Sequence, residues 1–170
     1  MASNITKTPR RKTRSRGIEQ TTSRGRVRRA RHADDGAIIT LEELFPSDRM
    51  SLRSVRDFLK SDRARIWVAE LDGAVVGNLI LLTRAESEVA RIYSVVVAPA
   101  ARGRSFGQRL VRAAQAEAKA MGLSQVALEV RADNEAARGL YAKLGYVEDE
   151  RLPGYYEDGS DALRLRKDLR

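Results

Sequence analysis

The sequence contains no cysteine, one histidine and one tryptophan. A chain without cysteine forms no disulfide and holds no metal through thiolates, and it fits a reducing compartment, so we expect a cytoplasmic protein. The one histidine, His32, follows a basic run. Because no neighbouring motif would orient it, we expect neither histidine-based catalysis nor a metal site. No segment is apolar enough to span a bilayer, so no membrane association is expected.

Acidic residues are almost absent from the start of the chain. Residues 1–31 hold 11 lysines and arginines and one acid, Glu19, a net charge of +10, whereas the whole chain of 170 residues carries +9. The remainder is therefore close to neutral. Because this basic segment has few apolar residues to pack, we expect residues 1–25 to form a disordered tail.

Three interpretations of the basic segment stay open. Clustered arginines neutralise phosphates without reading base sequence, so residues 1–31 could contact RNA or the ribosome. An organelle transit peptide is also rich in arginine and poor in acids. A solvated extension without a partner is the third interpretation.

Residues 26–170 have the size of one domain. Their apolar periodicity predicts a strand, two helices, three strands, a helix, a strand, a helix and two strands, which is an α/β (α+β) fold around a sheet of mixed direction. Asp72 and Gly73 predict a tight hairpin turn, and Ser51 predicts a helix N-cap. The unbroken apolar run at 95–97 predicts a strand covered on both faces.

A loop rich in arginine and glycine separates a strand that ends before Pro99 from a helix that begins at Phe106. Its sequence is "RGRSFG", residues 102–107. Free N–H groups at a helix start bind anions, glycine permits close backbone approach, and arginine adds charge-assisted hydrogen bonds. The glycine spacing alone is weak support for a phosphate site, because the endings of the known phosphate loops are absent. Ser105 stands where such a loop often has glycine.

Three motifs in order resemble the GNAT acetyltransferase superfamily. "VVVAPAARGRSFGQRLV" looks like its motif A, which cradles the pyrophosphate of coenzyme A, with Ser105 departing from the pattern at the middle glycine. "LEVRADNEAARGLYAKLGY" looks like motif B. "YYEDGSDALRL" is similar to the ending of the RimI-type protein N-α-acetyltransferases. The resemblance covers roughly residues 89–166 and implies the GNAT fold, a single domain in which helices flank a central mixed, splayed β-sheet.

The resemblance also implies the cosubstrate, acetyl-CoA, and the residues that hold it. Backbone groups of the strand before the loop would pair with the pantetheine arm, the loop would bind the pyrophosphate, and Asn134 would contact the pantetheine arm besides capping its helix. The residues implied in binding the cosubstrate are Val95, Val96, Val97, Arg102, Gly103, Arg104, Ser105, Phe106, Gly107, Gln108 and Asn134.

Two residues match catalytic positions of the RimI-type enzymes. Glu129 matches the general base and Tyr141 the general acid, which implies direct acetyl transfer to a primary amine with no metal and no covalent enzyme intermediate. Glu129 could instead be a solvated strand residue, although alternation along the strand places Leu128 and Val130 on the opposite face. Tyr141 could instead be a core aromatic residue.

The prediction of the acceptor depends on fewer residues. Tyr155 and Tyr156 match the RimI-type pair that lines the peptide site, and the loop around Phe45 would form the other wall. These matches favour a protein or peptide N-terminal amine, which is more easily deprotonated than lysine because its ordinary pKa is about 8 against about 10.4. A small-molecule amine or a lysine is the alternative acceptor.

Two functions of another class remain as alternatives. The basic segment could make the chain an RNA- or ribosome-binding protein, and the fold could serve as an acyl-CoA-binding module without catalysis. The neutral folded part argues against the first, and the presence of both Glu129 and Tyr141 argues against the second. The sequence is compatible with a monomer or a homodimer.

Overall fold

Seven strands and four helices make up most of the described residues, 25–45 and 50–170, of this computed structural model. The strands are β1 (Arg26–Arg29), β2 (Ala64–Leu71), β3 (Ala74–Leu82), β4 (Val89–Val97), β5 (Gln125–Arg131), β6 (Val147–Leu152) and β7 (Ala162–Asp168). The helices are α1 (Asp35–Glu42), α2 (Leu52–Lys60), α3 (Phe106–Ala120) and α4 (Glu135–Lys143). The predicted order of elements is confirmed.

The strands form one sheet in the order β1-β2-β3-β4-β5-β7-β6. Strands β4 and β5 run parallel, and every other neighbouring pair is antiparallel. The parallel pair follows from the chain order, because α3 connects β4 to β5 as a crossover. The sheet is therefore mixed, as predicted.

Helices cover the two faces of the sheet unequally. On one face, α3 packs through Leu110 and Val111 on β2, β3 and β4, in a core that extends to side chains of β5 and β7 such as Leu128. On the other face, α1 and α2 form a smaller core with the apolar side chains of β2 and β3. On this second side α1 also contacts β4 through the bond between Glu42 and Ser94, and none of the described helices lines the surface around Glu129, Arg164 and Arg166.

Two local predictions from the sequence are confirmed. Asp72 and Gly73 both have positive φ angles, 52° and 79°, as a tight primed turn between β2 and β3 requires. Ser51 caps α2, because its Oγ accepts a hydrogen bond of 3.1 Å from the N–H of Ser54.

A guanidinium group attaches β1 to its surroundings. Arg28 donates hydrogen bonds of 2.8 and 3.0 Å to the carboxylate of Asp34 and one of 2.8 Å to Glu70 on β2. Asp34 also accepts a bond of 2.7 Å from the N–H of Arg31. The hydrogen bonds from Arg28, more than any other contact, hold the pKa of Asp34 below its usual value.

The predicted disordered tail lies outside the described residues, except for Gly25. The described end of the basic segment belongs to the folded domain, because Arg26 and Arg28 bind Glu70, and Arg29 lies over the ring of Trp67 with its guanidinium carbon 4.9 Å from the ring centre. Within the described ranges, no helix has both the length and the apolar character needed to cross a membrane.

Candidate active site

Strands β4 and β5 separate partway along their length. Their pairing runs from Val89 opposite Gln125 to Ile92 opposite Leu128 and then stops, although both strands continue. The register between β3 and β4 shifts at the same level, so that Tyr93 forms a bulge. The edge of β4 beyond Ile92 therefore faces a gap instead of a neighbouring strand, as the predicted splayed sheet requires.

Side chains of the apolar run at 95–97 on β4 border this gap. Val96 is 3% exposed, but Val95 and Val97 are only partly buried. Val95 and Val97 pack against the main core, so the prediction that both faces of this run are covered holds for Val96 and only in part for Val95 and Val97. The physical reason is the separation of β4 from β5, which removes part of the cover that a neighbouring strand would give.

The loop after β4 turns the chain into α3. Gly103 has a φ of 79° and Ser105 a φ of 60°, both in the left-handed region. Arg109 is the first residue of α3 whose N–H bonds within the helix, at 3.0 Å from the carbonyl oxygen of Ser105. The N–H groups before it at the helix start remain available to an anion.

The residues predicted to bind the pyrophosphate differ in which groups are accessible to it. Arg102 and Arg104 are exposed, and neither pairs with an acidic side chain of the described residues. Gln108 is partly exposed on the first turn of α3. The side chain of Phe106 is 2% exposed and packs in the core, so Phe106 can offer a ligand only its backbone N–H.

Glu129 lies on β5 and faces the gap side of the sheet, while Leu128 and Val130 are buried on the α3 side. Its carboxylate accepts a hydrogen bond of 2.9 Å from Nε of Arg91 and bonds of 3.3 Å from Nε and Nη2 of Arg164. Its side chain is 10% exposed. These contacts fix the carboxylate in one orientation, which a purely solvated strand residue would not have.

Tyr141 lies on α4 and is 8% exposed. Its ring meets that of Tyr146 edge to face, with 5.6 Å between ring centres. Burial, followed by the neighbouring phenols of Tyr146 and Tyr156, raises the pKa of Tyr141 above its usual value. The phenol therefore keeps its proton at neutral pH.

A cavity of about 190 Å³ at the gap brings the predicted residues together. Asn134 lines it and also caps α4, because its Oδ1 accepts a bond of 3.1 Å from the N–H of Ala137. The members of the predicted site among its lining residues are Phe45, Val95, Val96, Glu129, Asn134, Tyr141 and Tyr156. Of the predicted acceptor residues, Tyr155 lies outside this cavity and lines the adjoining groove.

The two tyrosines of the β6–β7 connection support each other. Their rings pack edge to face with centres 5.1 Å apart. Arg131 lies 5.0 Å from the ring centre of Tyr156 and is itself held by Asp158 at 2.8 Å and by Ser160 at 2.6 Å. The bond from Arg131, followed by those from Ser160, holds the pKa of Asp158 below its usual value. The turn therefore presents Tyr156 to the cavity in a fixed position.

Glu42 is a cavity residue that the sequence analysis missed. It ends α1, is 4% exposed, and accepts hydrogen bonds of 2.9 Å from Asn78 and 2.8 Å from Ser94. Among the described residues no lysine or arginine pairs with it. The sequence gave no signal for Glu42, since Glu42 and Glu43 are adjacent glutamates at the end of α1 and only the packing of α1 buries the first of them.

The start of α3 leaves space for a ligand beside Gly107. A Cβ added at Gly107 would lie 3.6 Å from Leu140, an ordinary contact, so the packing of the described residues does not itself require glycine there. The missing side chain leaves space over the first amides of α3. Together with the unpaired edge of β4 and the unpartnered Arg102 and Arg104, this space fits an extended ligand that carries a pyrophosphate.

The chain is similar in sequence to known proteins. The model of the acetyltransferase (GNAT) family matches residues 35–146. The chain is 32% identical over 155 residues to the N-alpha-acetyltransferase of Sulfurisphaera tokodaii, covering 85% of this chain and 93% of that protein. It is 33% identical over 108 residues to a putative ribosomal protein bS18-alanine N-acetyltransferase of Bacillus subtilis, covering 63% and 70%.

A solved structure has the same fold. The ribosomal-protein-S18-alanine N-acetyltransferase of Escherichia coli superposes with a TM-score of 0.76 at 22% identity. The superposition covers 85% of this chain and 94% of that one.

Proposed function

Because the chain belongs to the acetyltransferase (GNAT) family, we propose that it transfers an acetyl group directly from acetyl-CoA to the α-amino group at the N-terminus of a protein or peptide. The names of its relatives support this acceptor, since one is an N-alpha-acetyltransferase and another a putative alanine N-acetyltransferase. The observation that carries the proposal is the cavity in which Glu129, Asn134, Tyr141 and Tyr156 meet at the gap between β4 and β5.

Acetyl-CoA supplies the acetyl group as an activated thioester. In this chain the amides at the start of α3, with Arg102 and Arg104, would hold its pyrophosphate. The unpaired edge of β4 at Val95 and Val97 would hold the pantetheine amides as an added strand does. Asn134 can contribute its side-chain NH₂, because its Oδ1 is the atom used to cap α4.

Glu129 takes the proton of the acceptor amine, either directly or through a water molecule. Arg91 and Arg164 hold its carboxylate from two sides and keep it directed at the cavity. An α-amino group suits this arrangement better than lysine, because its ordinary pKa is about 8 against about 10.4 and less of it is charged at neutral pH.

Tyr141 donates its proton to the sulfur atom of the departing coenzyme A. Its raised pKa keeps the phenol protonated across the physiological range. No hydrogen bond to another described side chain occupies the hydroxyl group, which leaves the proton free for the departing thiol.

Glu42 binds the acceptor in its ammonium form before the proton is removed. Among the described residues, the buried carboxylate of Glu42 is bonded only by neutral donors, and burial of a charge without a counter-ion is costly. The arriving ammonium group supplies that counter-ion. Phe45 and Tyr156 line the same cavity as Glu42.

The experiment is an acetyl-CoA consumption assay on peptides with varied N-termini, lysine peptides and small amines. We expect N-terminally free peptides to be turned over and their N-acetylated forms to be inert. Glu129→Gln and Tyr141→Phe should each lower kcat by about a hundredfold or more, and Glu42→Gln should mainly raise KM for the peptide.

Two matched variants control for structural damage. Tyr146→Phe removes the neighbouring phenol, which binds Gln115 at 2.9 Å and does not line the cavity. Glu43→Gln changes the exposed glutamate beside Glu42. Both should keep near-normal rates. Unchanged turnover in Glu129→Gln and Tyr141→Phe would refute the catalytic roles, and turnover of lysine or small amines alone would refute the acceptor.

A further inference from the structure

A wide groove adjoins the cavity on the open face of the sheet. Its volume is about 540 Å³, and it runs over β4, β5 and β7. Four guanidinium groups line it, together with one carboxylate, that of Glu129, and the phenol of Tyr155. The four arginines are Arg84, Arg91, Arg164 and Arg166. We call this site the arginine groove.

Strand register brings these arginines together. Arg166 lies opposite Ala127, which in turn lies opposite Arg91, and Arg164 lies opposite Glu129. Because side chains alternate along a strand, Arg164 and Arg166 share the open face, while Leu163 and Leu165 are buried on the α3 side. The helices α1 and α2 lie over β2, β3 and the part of β4 around Ser94, and none of their residues lines the groove.

The described carboxylates leave the groove with binding capacity. Arg91 and Arg164 share Glu129, Arg164 also binds Glu150 at 2.7 Å, and Arg166 binds Asp149 at 2.6 Å. Arg84 is exposed and has no acidic partner among the described residues. A guanidinium group has five N–H donors. The contacts named here use only part of these donors, and one positive charge remains uncompensated.

The groove is continuous with the cavity. Glu129 lines both, and the hydroxyl group of Tyr155 accepts a bond of 3.2 Å from Arg91 while its ring packs on Tyr156 in the cavity wall. An acceptor whose amine reaches Glu129 from the cavity therefore has an open path over the arginines. Arg166 is two positions beyond Arg164 on β7, about 7 Å away, which is the length of about two residues of extended peptide.

We propose that the arginine groove binds acidic side chains in the first few residues after the acceptor's N-terminal amine, so that the preferred acceptor is an acidic N-terminus. The inference rests on the proposed N-terminal acetyltransferase function. Carboxylates suit the site because guanidinium groups bind them through paired hydrogen bonds. Such complementary charge also sets specificity between otherwise similar partners.

The test compares three peptides that share an N-terminal alanine and continue with three glutamates, three glutamines or three lysines. We expect kcat/KM to be about tenfold or more higher for the glutamate peptide than for the lysine peptide at low salt, and this preference to shrink as NaCl screens the charges. Arg84→Glu and the double variant Arg84→Glu/Arg166→Glu should reduce or reverse the preference, while turnover of the glutamine peptide stays near normal.

Arg112→Glu is the matched control, because Arg112 is exposed on α3, on the other side of the sheet, and has no ion pair among the described residues. It should keep the wild-type preference. Equal turnover of all three peptides, or a preference that survives both groove variants, overturns the inference and leaves the proposed function intact. If no peptide is acetylated while small amines are, the proposed function fails as well. Arg84→Glu alone remains informative if the double variant does not fold.

Discussion

The backbone of Ser105 is held in a conformation that suits glycine. Its φ is 60°, its side chain is exposed, and its hydroxyl group makes no capping hydrogen bond to α3. A left-handed conformation costs a residue with a Cβ about 1–2 kcal/mol, a cost that glycine does not have. The serine therefore lowers stability at the start of α3 without closing the loop.

The substitution Ser105→Gly should raise the free energy of unfolding by about 1 kcal/mol. Urea unfolding at neutral pH measures this change. The affinity for acetyl-CoA, measured by calorimetry, should change only modestly, since the amides of the loop stay in place. Ser61→Gly is the control: Ser61 is exposed with a φ of −83°, where glycine has no advantage, so stability should fall. A gain of several orders of magnitude in affinity for Ser105→Gly would show that the serine disables the loop.

Single residues of the site differ in how well the sequence predicts them. Glu129 and Tyr141 lie within sequence motifs that follow one another in the order typical of the family, and the structure brings both residues to one cavity. Arg91 and Arg164 gave no such signal, because they lie 38 and 35 positions from Glu129 in the sequence and meet it only through strand pairing. Glu42 is buried by the packing of α1, which composition does not reveal.

At the scale of elements, β1 depends on one charged cluster. Strand β1 is a four-residue edge strand that pairs only with β2. Arg28 connects it to Asp34 in the turn before α1 and to Glu70 on β2, and the side chain of Asp34 is 10% exposed. Removing one partner of such a pair leaves the other charge partly buried without compensation.

The substitution Asp34→Asn should lower the free energy of unfolding by about 1–3 kcal/mol at pH 7. The folded pKa of Asp34 lies below its unfolded value of about 4. Its stabilisation is therefore complete above that unfolded value and is lost as the pH falls through the lowered folded value.

Urea unfolding from pH 7 down to pH 3 checks this pH dependence. The difference between wild type and variant should stay constant near neutrality and shrink in acid. Asp35→Asn, which breaks an exposed pair with Arg56, should cost much less. A difference that grows as the pH falls would contradict the assignment.

The elements themselves were predicted well, but the gap between β4 and β5 was expected only from the resemblance. Caps and turns such as Ser51 and Asp72-Gly73 are local, so a few neighbouring residues determine them. The gap depends on where β4 stops pairing with β5 and on the bulge at Tyr93 against β3. Both depend on the pairing register between strands that are distant in the sequence. The pattern of a single sequence does not determine that register.

At the scale of the whole molecule, part of the basic segment belongs to the folded domain. Arg26, Arg28 and Arg29 are engaged by Glu70 and Trp67 within the domain. Phosphate contacts through the segment would therefore rest on the lysines and arginines before Arg26 and on the exposed Arg31. RNA or ribosome contact through this segment remains a prediction.

Deleting residues 1–24 should leave the melting temperature and peptide acetylation unchanged, because all seven strands of the described sheet lie in residues 26–168. The same deletion should abolish any RNA binding that the full chain shows, and that binding should weaken steeply with added salt. Deleting residues 1–30 is the comparison, since it removes β1 and should lower the melting temperature. Full RNA affinity in the shorter deletion would exclude the segment as the binding part.

The unpaired edge of β4 beyond Ile92 also allows ligand binding to be followed by amide hydrogen exchange. Backbone amides that face the gap have no strand partner, so in the free protein they should exchange hydrogen for deuterium faster than amides in the paired half of the same strand. A ligand that pairs with this edge as a strand does would slow exchange there and leave the paired half unchanged. One strand then carries both the signal and its internal reference.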